Sequence, residues 1–369
     1  MAWNACEDAA MRQAVELARR GLGLVEPNPM VGAVVIAADG HTIVGTGWHE
    51  RYGGPHAEVG ALATAGGAAR GGTLIVTLEP CCHRGQTPPC TEAIMAAGIA
   101  RVVVGAGDPF AAVAGRGIAA LRAAGIVVEV GLRAAETTRL IAPFSRLVTA
   151  NRPWVIAKWA MTLDGHVAPP RGADRWISSA ESRELVHALR GRCDAIAVGI
   201  GTALADDPLL TARPPGPRTP LRVVLDGAAR LPTDSRLVRS IAAAPLLVAA
   251  GPTAPADRIA ALEQAGCEVW RSDLEDREAR LAELLAELGR RRLTNLIVEG
   301  GPEVLGSFAT LDAIDEVWAF VAPTLLGGDT APAVTGHGRA ATALARSIEV
   351  EEVSHPGGDV LLRGLVRRG

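Results

Sequence analysis

One histidine, one glutamate and two cysteines set the tightest limit on how this chain can fold. His56-Ala57-Glu58 is followed by Pro80-Cys81 and then by Cys90. For one imidazole and two thiolates to reach a common ion, a helix start, a strand end and a second helix start must converge. The local sequence meets that demand. Pro55 sits at a permitted helix-start position, Thr73 to Leu78 reads as a strand, and Cys90 opens a helical stretch to Ala97. Three protein ligands with a fourth position open is the catalytic arrangement for zinc, not the closed structural one. Such an ion lowers the pKa of a water towards neutrality, and an acid–base group must then carry protons to a leaving group. Glu58, two residues beyond the histidine, can serve that water without ligating the metal. The helix start at Cys90 also favours a thiolate. Cys6, Cys193 and Cys267 read as ordinary buried thiols, and Cys82 as a small residue at the edge of the core.

The rest of the chain alternates apolar β-rich runs with helical stretches. Helices are expected at 7–20, from Pro55, at Cys90–Ala97 and at Gly117–Ala124. Strands are expected at Met30–Ile36, Thr42–Gly47, Thr73–Leu78, Arg101–Val104 and Ile126–Val130, the first two joined as a hairpin through Asp39-Gly40. Leu140–Pro153 reads as a connection. Beyond it, strands are expected at Trp154–Ala157, Ala195–Val198, Leu221–Leu225, Leu246–Ala249, Glu268–Trp270, Leu296–Val298 and Glu316–Val321. Helices are expected at Ser179–Arg190, Asp257–Ala265 and Leu274–Arg291. Such alternation implies α/β architecture, with parallel or mixed sheets covered by helices on both faces. A length of 369 residues suits about two domains, divided here as 1–146 and 147–369.

The His-x-Glu…Pro-Cys…Cys order is that of zinc-dependent deaminases. Nucleic-acid deaminases usually place two residues between the cysteines. Here Cys82-His83-Arg84-Gly85-Gln86-Thr87-Pro88-Pro89 intervenes, long enough to reach over a substrate. With Asn28-Pro29-Met30-Val31-Gly32, Asp108-Pro109 and Val113-Ala114-Gly115-Arg116-Gly117, the pattern resembles the bifunctional deaminase/reductases of riboflavin biosynthesis. That resemblance implies a cytidine-deaminase-like α/β/α domain. Its zinc ligands would be His56, Cys81 and Cys90, its proton carrier Glu58, and its substrate contacts Asn28, His83 and Asp108. The chain departs from the family's usual Ser at Cys82, Lys at Gln86 and Asn at Phe110.

The second half offers no G-x-G-x-x-G between strand and helix. It does offer Leu296-Ile297-Val298 followed by Glu299-Gly300-Gly301-Pro302, a strand-to-helix turn whose free N–H groups suit an anion. Lys158-Trp159-Ala160-Met161-Thr162-Leu163-Asp164-Gly165, Trp176-Ile177-Ser178 and Gly201–Arg213 match the reductase half of the same family in order and spacing. The resemblance therefore covers nearly the whole chain. It implies a dihydrofolate-reductase-like α/β domain that binds NADPH and reduces a ribosyl group to ribityl. Catalysis would fall to Lys158, Asp206 and Glu299. Substrate would meet Asp174, Arg190, Leu210, Arg213 and Glu299, with the forked arginines on its phosphate. Ala160, Trp176, Ser178, Thr202, Asp206 and Gly301 would line the NADPH site. Asp174 stands where many relatives have Ser. Lys158 is the only lysine in a chain that otherwise uses arginine. A compact ammonium that can give up a proton is not replaceable by a guanidinium.

Composition narrows the partners. Positive and negative residues nearly balance in both halves, without the basic excess of a phosphate-backbone binder. No apolar run approaches the ~20 residues a membrane span needs. Six cysteines are too few for a disulfide scaffold of this length. The expectation is a cytoplasmic enzyme acting on a small pyrimidine ribosyl phosphate, with zinc and NADPH, and with no nucleic-acid or membrane partner. A homo-oligomer is compatible with the sequence. A nucleic-acid deaminase is disfavoured by charge balance and low aromatic content, and a structural zinc module by Glu58.

Overall fold

The computed structural model describes residues 3–83, 88–167, 176–328, 332–335 and 345–367. The chain forms two compact units, Met1–Asn151 and Arg152–Gly369.

In the first unit the helices are α1 (Ala5–Arg19), α2 (Ala57–Ala65), α3 (Cys90–Ala96), α4 (Arg116–Ala123), α5 (Ala134–Leu140) and α6 (Ala142–Ala150). The strands are β1 (Gly32–Ile36), β2 (Ile43–Trp48), β3 (Thr73–Leu78), β4 (Arg101–Ala106) and β5 (Val127–Val130). They form one sheet in the order β2-β1-β3-β4-β5. The β1–β2 and β1–β3 pairs are antiparallel, while β3, β4 and β5 run parallel. Successive side chains on a strand face opposite ways, and burial follows that alternation. Ala33, Val35, Leu74, Val76, Val102 and Val104 share a core with α2, Ile94 of α3 and Leu121 of α4. Val34, Ile36, Ile75 and Val103 pack instead against Ala10, Met11, Ala14 and Leu17 of α1. Helices thus cover both faces. Asn4 starts α1 with a capping box shared with Glu7.

Two glycines of β2 bring α2 close to the sheet. A Cβ at Gly45 would lie 2.2 Å from the Ala61 carbonyl oxygen, and one at Gly47 would lie 2.4 Å from that of Ala57. Only glycine allows that approach. It seats the first turn of α2, with Glu58, against the sheet.

The second unit is a nine-stranded sheet. Its strands are β6 (Trp154–Thr162), β7 (Ala195–Gly199), β8 (Leu221–Leu225), β9 (Leu246–Ala250), β10 (Glu268–Arg271), β11 (Asn295–Val298), β12 (Glu316–Ala322), β13 (Ile348–Ser354) and β14 (Val360–Val366). The order is β10-β9-β8-β7-β11-β6-β12-β14-β13. All neighbours are parallel except β12–β14 and β14–β13. Its helices are α7 (Ala180–Arg190), α8 (Ile200–Asp206), α9 (Arg236–Arg239), α10 (Ala256–Gln264), α11 (Arg277–Arg290) and α12 (Pro302–Thr310). One face is closed by Leu281, Leu284, Leu285 and Leu288 of α11 and by Val304, Leu305 and Phe308 of α12. They pack on Val155, Ala157, Ala195, Ala197, Leu296 and Val298. The chain leaves β6, builds β7 to β10 outwards, then returns to insert β11 between β7 and β6. A crevice forms at such a switch point, beyond the carboxyl ends of the strands. Lys158, Gly199–Thr202 and Glu299–Gly301 belong to the three strands that meet there and to the turns that follow them.

Several expectations need correction. Leu140–Pro153 is largely helical as α5 and α6, and the units divide after Asn151, because α6 carries the chain through 146. Asn151 ends α6 in the left-handed region, which stops the helix. Strands β13 and β14 and helices α8 and α9 were not anticipated. Cys193 and Cys267 are buried, but Cys6 is half-buried. No described helix is long and apolar enough to cross a membrane.

Candidate active sites

The first site assembles where its spacing demands. His56 is the N-cap of α2 and Cys90 the first residue of α3. Cys81 lies just past the end of β3. The ligand atoms of the three residues lie within 4.8 Å of one another. His56 Nδ1 is 3.2 Å from Cys90 Sγ and 3.5 Å from Cys81 Sγ. Zinc–ligand bonds of 2.0–2.3 Å at tetrahedral angles place neighbouring ligand atoms roughly 3.6 Å apart, so the donor set fits the ion in both chemistry and spacing. The Cys90 amide donates to Cys81 Sγ at 3.3 Å. The mutual hydrogen bond of the two thiols drives the Cys81 thiol down and, with burial, the Cys90 thiol up. Glu58 is 3% exposed on the first turn of α2. Burial raises its pKa against the opposing pull of His56, the direction that suits a proton carrier.

Two further residues organise this site. Glu79, immediately before Pro80-Cys81, accepts backbone N–H bonds from Asp108, Gly115, Gly117 and Ile118 at 3.0–3.2 Å. One carboxylate thereby ties the ligand loop to the Asp108 loop. Burial and the Glu79 charge push Asp108 up to about 6, although its carboxylate accepts from the Phe110 amide. His49 is buried, with its ring edge-on to that of His56 at 5.4 Å. Its Nδ1 donates to the Pro55 carbonyl at 3.0 Å, so its Nε2 is left to accept from Asn28 Nδ2 at 3.2 Å. Exposed His83 meets Phe110 ring to ring at 6.4 Å. Gln86 lies outside the described residues. Sequence reasoning gave neither Glu79 nor His49 a role. The one available signal was the position of Glu79 beside the ligand loop.

In the second unit, Lys158 projects from the face of β6 opposite the α11–α12 core. Its Nζ is 3.9 Å from Glu299 Oε2 and 5.8 Å from the Phe320 ring centre. Arg190, expected at a substrate phosphate, closes on Glu299 with both prongs, Nε at 2.6 Å and Nη2 at 2.8 Å. Burial alone would raise the Glu299 pKa, but Arg190 and then Lys158 hold it down at about 2. Burial lowers the Lys158 pKa, with Glu299 opposing. The Thr211 carbonyl accepts from Arg190 Nη1 at 3.4 Å and His187 Nδ1 at 3.2 Å. Exposed Arg213 reaches His187 Nε2 and Thr211 Oγ1 at 3.4 and 3.3 Å.

Gly301 caps α12 without a side-chain cap bond, and a Cβ there would come 3.3 Å from Thr202 Oγ1. These two loops therefore form a close-walled turn at the start of a helix, which suits a nucleotide phosphate. Trp176 is 58% exposed with the Arg183 guanidinium 4.7 Å over its ring. The same arginine donates to the Ser178 carbonyl. Ala160 is half-buried on the Lys158 face, and Asp206 is exposed at the end of α8. The Leu210 side chain is only 3% exposed, and its φ of 53° is left-handed. Asp174 lies outside the described residues.

Comparison with known proteins agrees with this geometry. Residues 4–106 match the cytidine and deoxycytidylate deaminase zinc-binding region, and residues 153–362 match the RibD C-terminal domain. The riboflavin biosynthesis protein RibD of Aquifex aeolicus is 41% identical over 318 residues, covering 86% of this chain and 87% of that one. RibD of Escherichia coli is 36% identical over 372 residues, covering 95% and 97%. Among solved structures, the diaminohydroxyphosphoribosylaminopyrimidine deaminase/5-amino-6-(5-phosphoribosylamino)uracil reductase of Thermotoga maritima superposes with a TM-score of 0.84 at 35% identity. That match covers 98% of this chain and 99% of that one. Carrying both a zinc-binding deaminase region and a reductase domain, the chain belongs to the RibD family of bifunctional deaminase/reductases of riboflavin biosynthesis.

Proposed function

We propose that the first unit hydrolyses an amine from the pyrimidinone of a diaminopyrimidine ribosyl phosphate, and that the second reduces the ribosyl group of the product to ribityl. The observation that carries the first step is the convergence of His56, Cys81 and Cys90 beside a buried glutamate. These three residues would hold zinc, which when bound would supply the Lewis acidity that makes water nucleophilic near neutral pH. Glu58 takes a proton from the attacking water and returns it to the departing nitrogen, so that water replaces amine and ammonia leaves. A raised pKa suits a group that must both take and give that proton. Asn28, His83 and Asp108 position the substrate. Because Asn28 donates its amide N–H to His49, its carbonyl oxygen is the atom free to accept from a substrate N–H.

For the second step, bound NADPH would supply the hydride, and the sugar's open, imine-like form needs a proton on its nitrogen. Lys158 polarises and protonates that nitrogen. Glu299 keeps the buried ammonium charged, and Arg190 keeps Glu299 ionised. Asp174, Leu210 and Arg213 hold the substrate, Leu210 through its backbone because its side chain is buried. Arg213, exposed at the rim, suits the phosphate. Ala160, Trp176, Ser178, Thr202, Asp206 and Gly301 line the nucleotide site. The enzyme works on a free small molecule in the cytoplasm.

Mass spectrometry of the diaminopyrimidine ribosyl phosphate with zinc-loaded enzyme tests both assignments. Exchange of amine for oxygen without NADPH, then a gain of two hydrogens with it, is the expected order. Reduction preceding deamination, or no change in either condition, refutes it.

A further inference from the structure

Arg222 lies on β8, an inner strand of the nine-stranded sheet, and is completely buried. Among the described residues no carboxylate pairs with it. Its guanidinium is spent on backbone instead. Nη1 donates to the Leu209 carbonyl at 3.2 Å and to Ser240 Oγ at 2.7 Å. Nη2 donates to the Ser240 carbonyl at 3.2 Å and to the Ala244 carbonyl. Nε has no partner. Burial with no counter-charge pulls the group down to about 10. A charge held this way is costly, so what it holds should matter.

It holds the loop between α8 and β8. That loop carries two non-glycine residues in the left-handed region, Asp207 at φ 39° and Leu210 at φ 53°. Such residues persist only where the surroundings over-determine them. The surroundings are visible at both. At Asp207, the Arg236 amide donates to the side chain at 2.8 Å and Arg236 Nη1 donates to the carbonyl at 3.4 Å. At Leu210, the preceding carbonyl is the one Arg222 grips. The next carbonyl, Thr211, takes His187 and Arg190, and Arg190 closes on Glu299 beside Lys158. Two peptide units therefore connect the buried guanidinium to the charged trio.

We propose that Arg222 is a positioning residue for the reductase. By clamping the Leu209 carbonyl it fixes the left-handed turn at Leu210, which sets Thr211 under Arg190 and aims Arg213 at the substrate phosphate. This rests on the proposed placement of Leu210 and Arg213 on the substrate side.

The test uses the full-length enzyme as Arg222→Met, Arg222→Lys and, separately, Arg213→Ala. Deamination, carried by the other unit, reports that each variant is intact there. NADPH titration reports the folded fraction of the reductase unit. Arg222→Met is expected to deaminate at the wild-type rate and to bind NADPH with unchanged stoichiometry and Kd. Its KM for the deaminated ribosyl phosphate should rise roughly tenfold, the scale of one lost positioned hydrogen bond to a charged group. Arg222→Lys should fall between Met and wild type, since an ammonium can hold one carbonyl but not all three. An unchanged KM, with lost activity matching lost NADPH-binding fraction, makes Arg222 a folding residue only and overturns the proposal, as do wild-type kinetics. If Arg213→Ala leaves KM unchanged, the substrate-side reading of the loop fails on its own. If it raises KM while Arg222→Met does not, only the role of Arg222 fails.

Discussion

Replacing Glu299 with glutamine removes one charge from a buried group of three while keeping its shape. The Glu299 carboxyl is held at about 2 against an ordinary value of 4.5. A depressed carboxylate contributes stability that is fully present above the unfolded pKa and is lost as pH falls through the folded one. The window here runs from 4.5 down to about 2. At neutral pH the whole contribution is in place, about 3 kcal/mol for a shift of that size. This agrees with the roughly 3–5 kcal/mol lost when one partner of a buried pair is removed. Arg190 and Lys158 would then be buried with no anion between them. For a unit of this size about 3 kcal/mol lowers Tm by roughly 6–12 °C. The assay is scanning calorimetry of the full chain, with deamination as the internal reference. The reductase transition should fall, reduction should drop sharply, and deamination should persist. Glu299→Gln combined with Arg190→Met should regain much of the Tm and none of the reduction. A stability loss under about 1 kcal/mol, roughly 2–4 °C in Tm, with reduction intact would refute the argument that Arg190 serves Glu299.

Other outcomes follow from the same geometry. Glu58→Gln should slow deamination by about 10²–10⁴-fold while reduction of pre-deaminated substrate continues; parallel loss of both rates would contradict separate sites. Cys90→Ser or chelation should strip zinc, measured by elemental analysis, and abolish deamination alone. Lys158→Met should suppress reduction only. Because burial lowers the Lys158 pKa, wild-type reduction should decline on the alkaline side at a pH below the ordinary lysine range, and Lys158→Arg should lose reduction across the whole pH range. Gly47→Ala would press a methyl group against the Ala57 carbonyl. That should cost about 1–3 kcal/mol, read by urea unfolding, and should weaken deamination with it.

The zinc site was legible because its constraint is local. Three ligands at fixed spacing, each on a strand end or helix start, leave one geometry. The strands of the parallel core were legible for a similar reason: Ile196, Val223 and Leu247 sit in short apolar runs. Strands β13 and β14 were not. The first carries Glu349, Glu351 and Glu352 at the sheet edge, where burial imposes no alternation, and the second is interrupted by Gly364, which makes room for the Glu349 carbonyl. What spacing cannot reveal is pairing across the fold. Arg190 and Glu299 are 109 residues apart in sequence, and an arginine near a ligand site reads as a ligand until its partner is seen. Glu79 hid similarly, since its four partners are backbone amides, which carry no sequence signal.

The solitary lysine has a further consequence. Lys158 is half-buried on β6, an inner strand of its unit, and no second lysine competes with it. An amine-directed reagent can therefore modify only this one lysine side chain, and must reach it through the crevice that admits the substrate. A lysine-specific protease has one bond to cut, and it must wait for the strand to open. Timed labelling at residue 158 would report access to the crevice beside Glu299 in the unaltered enzyme. Adding NADPH or substrate and watching the label slow would turn this residue into a gauge of how fully each one covers it.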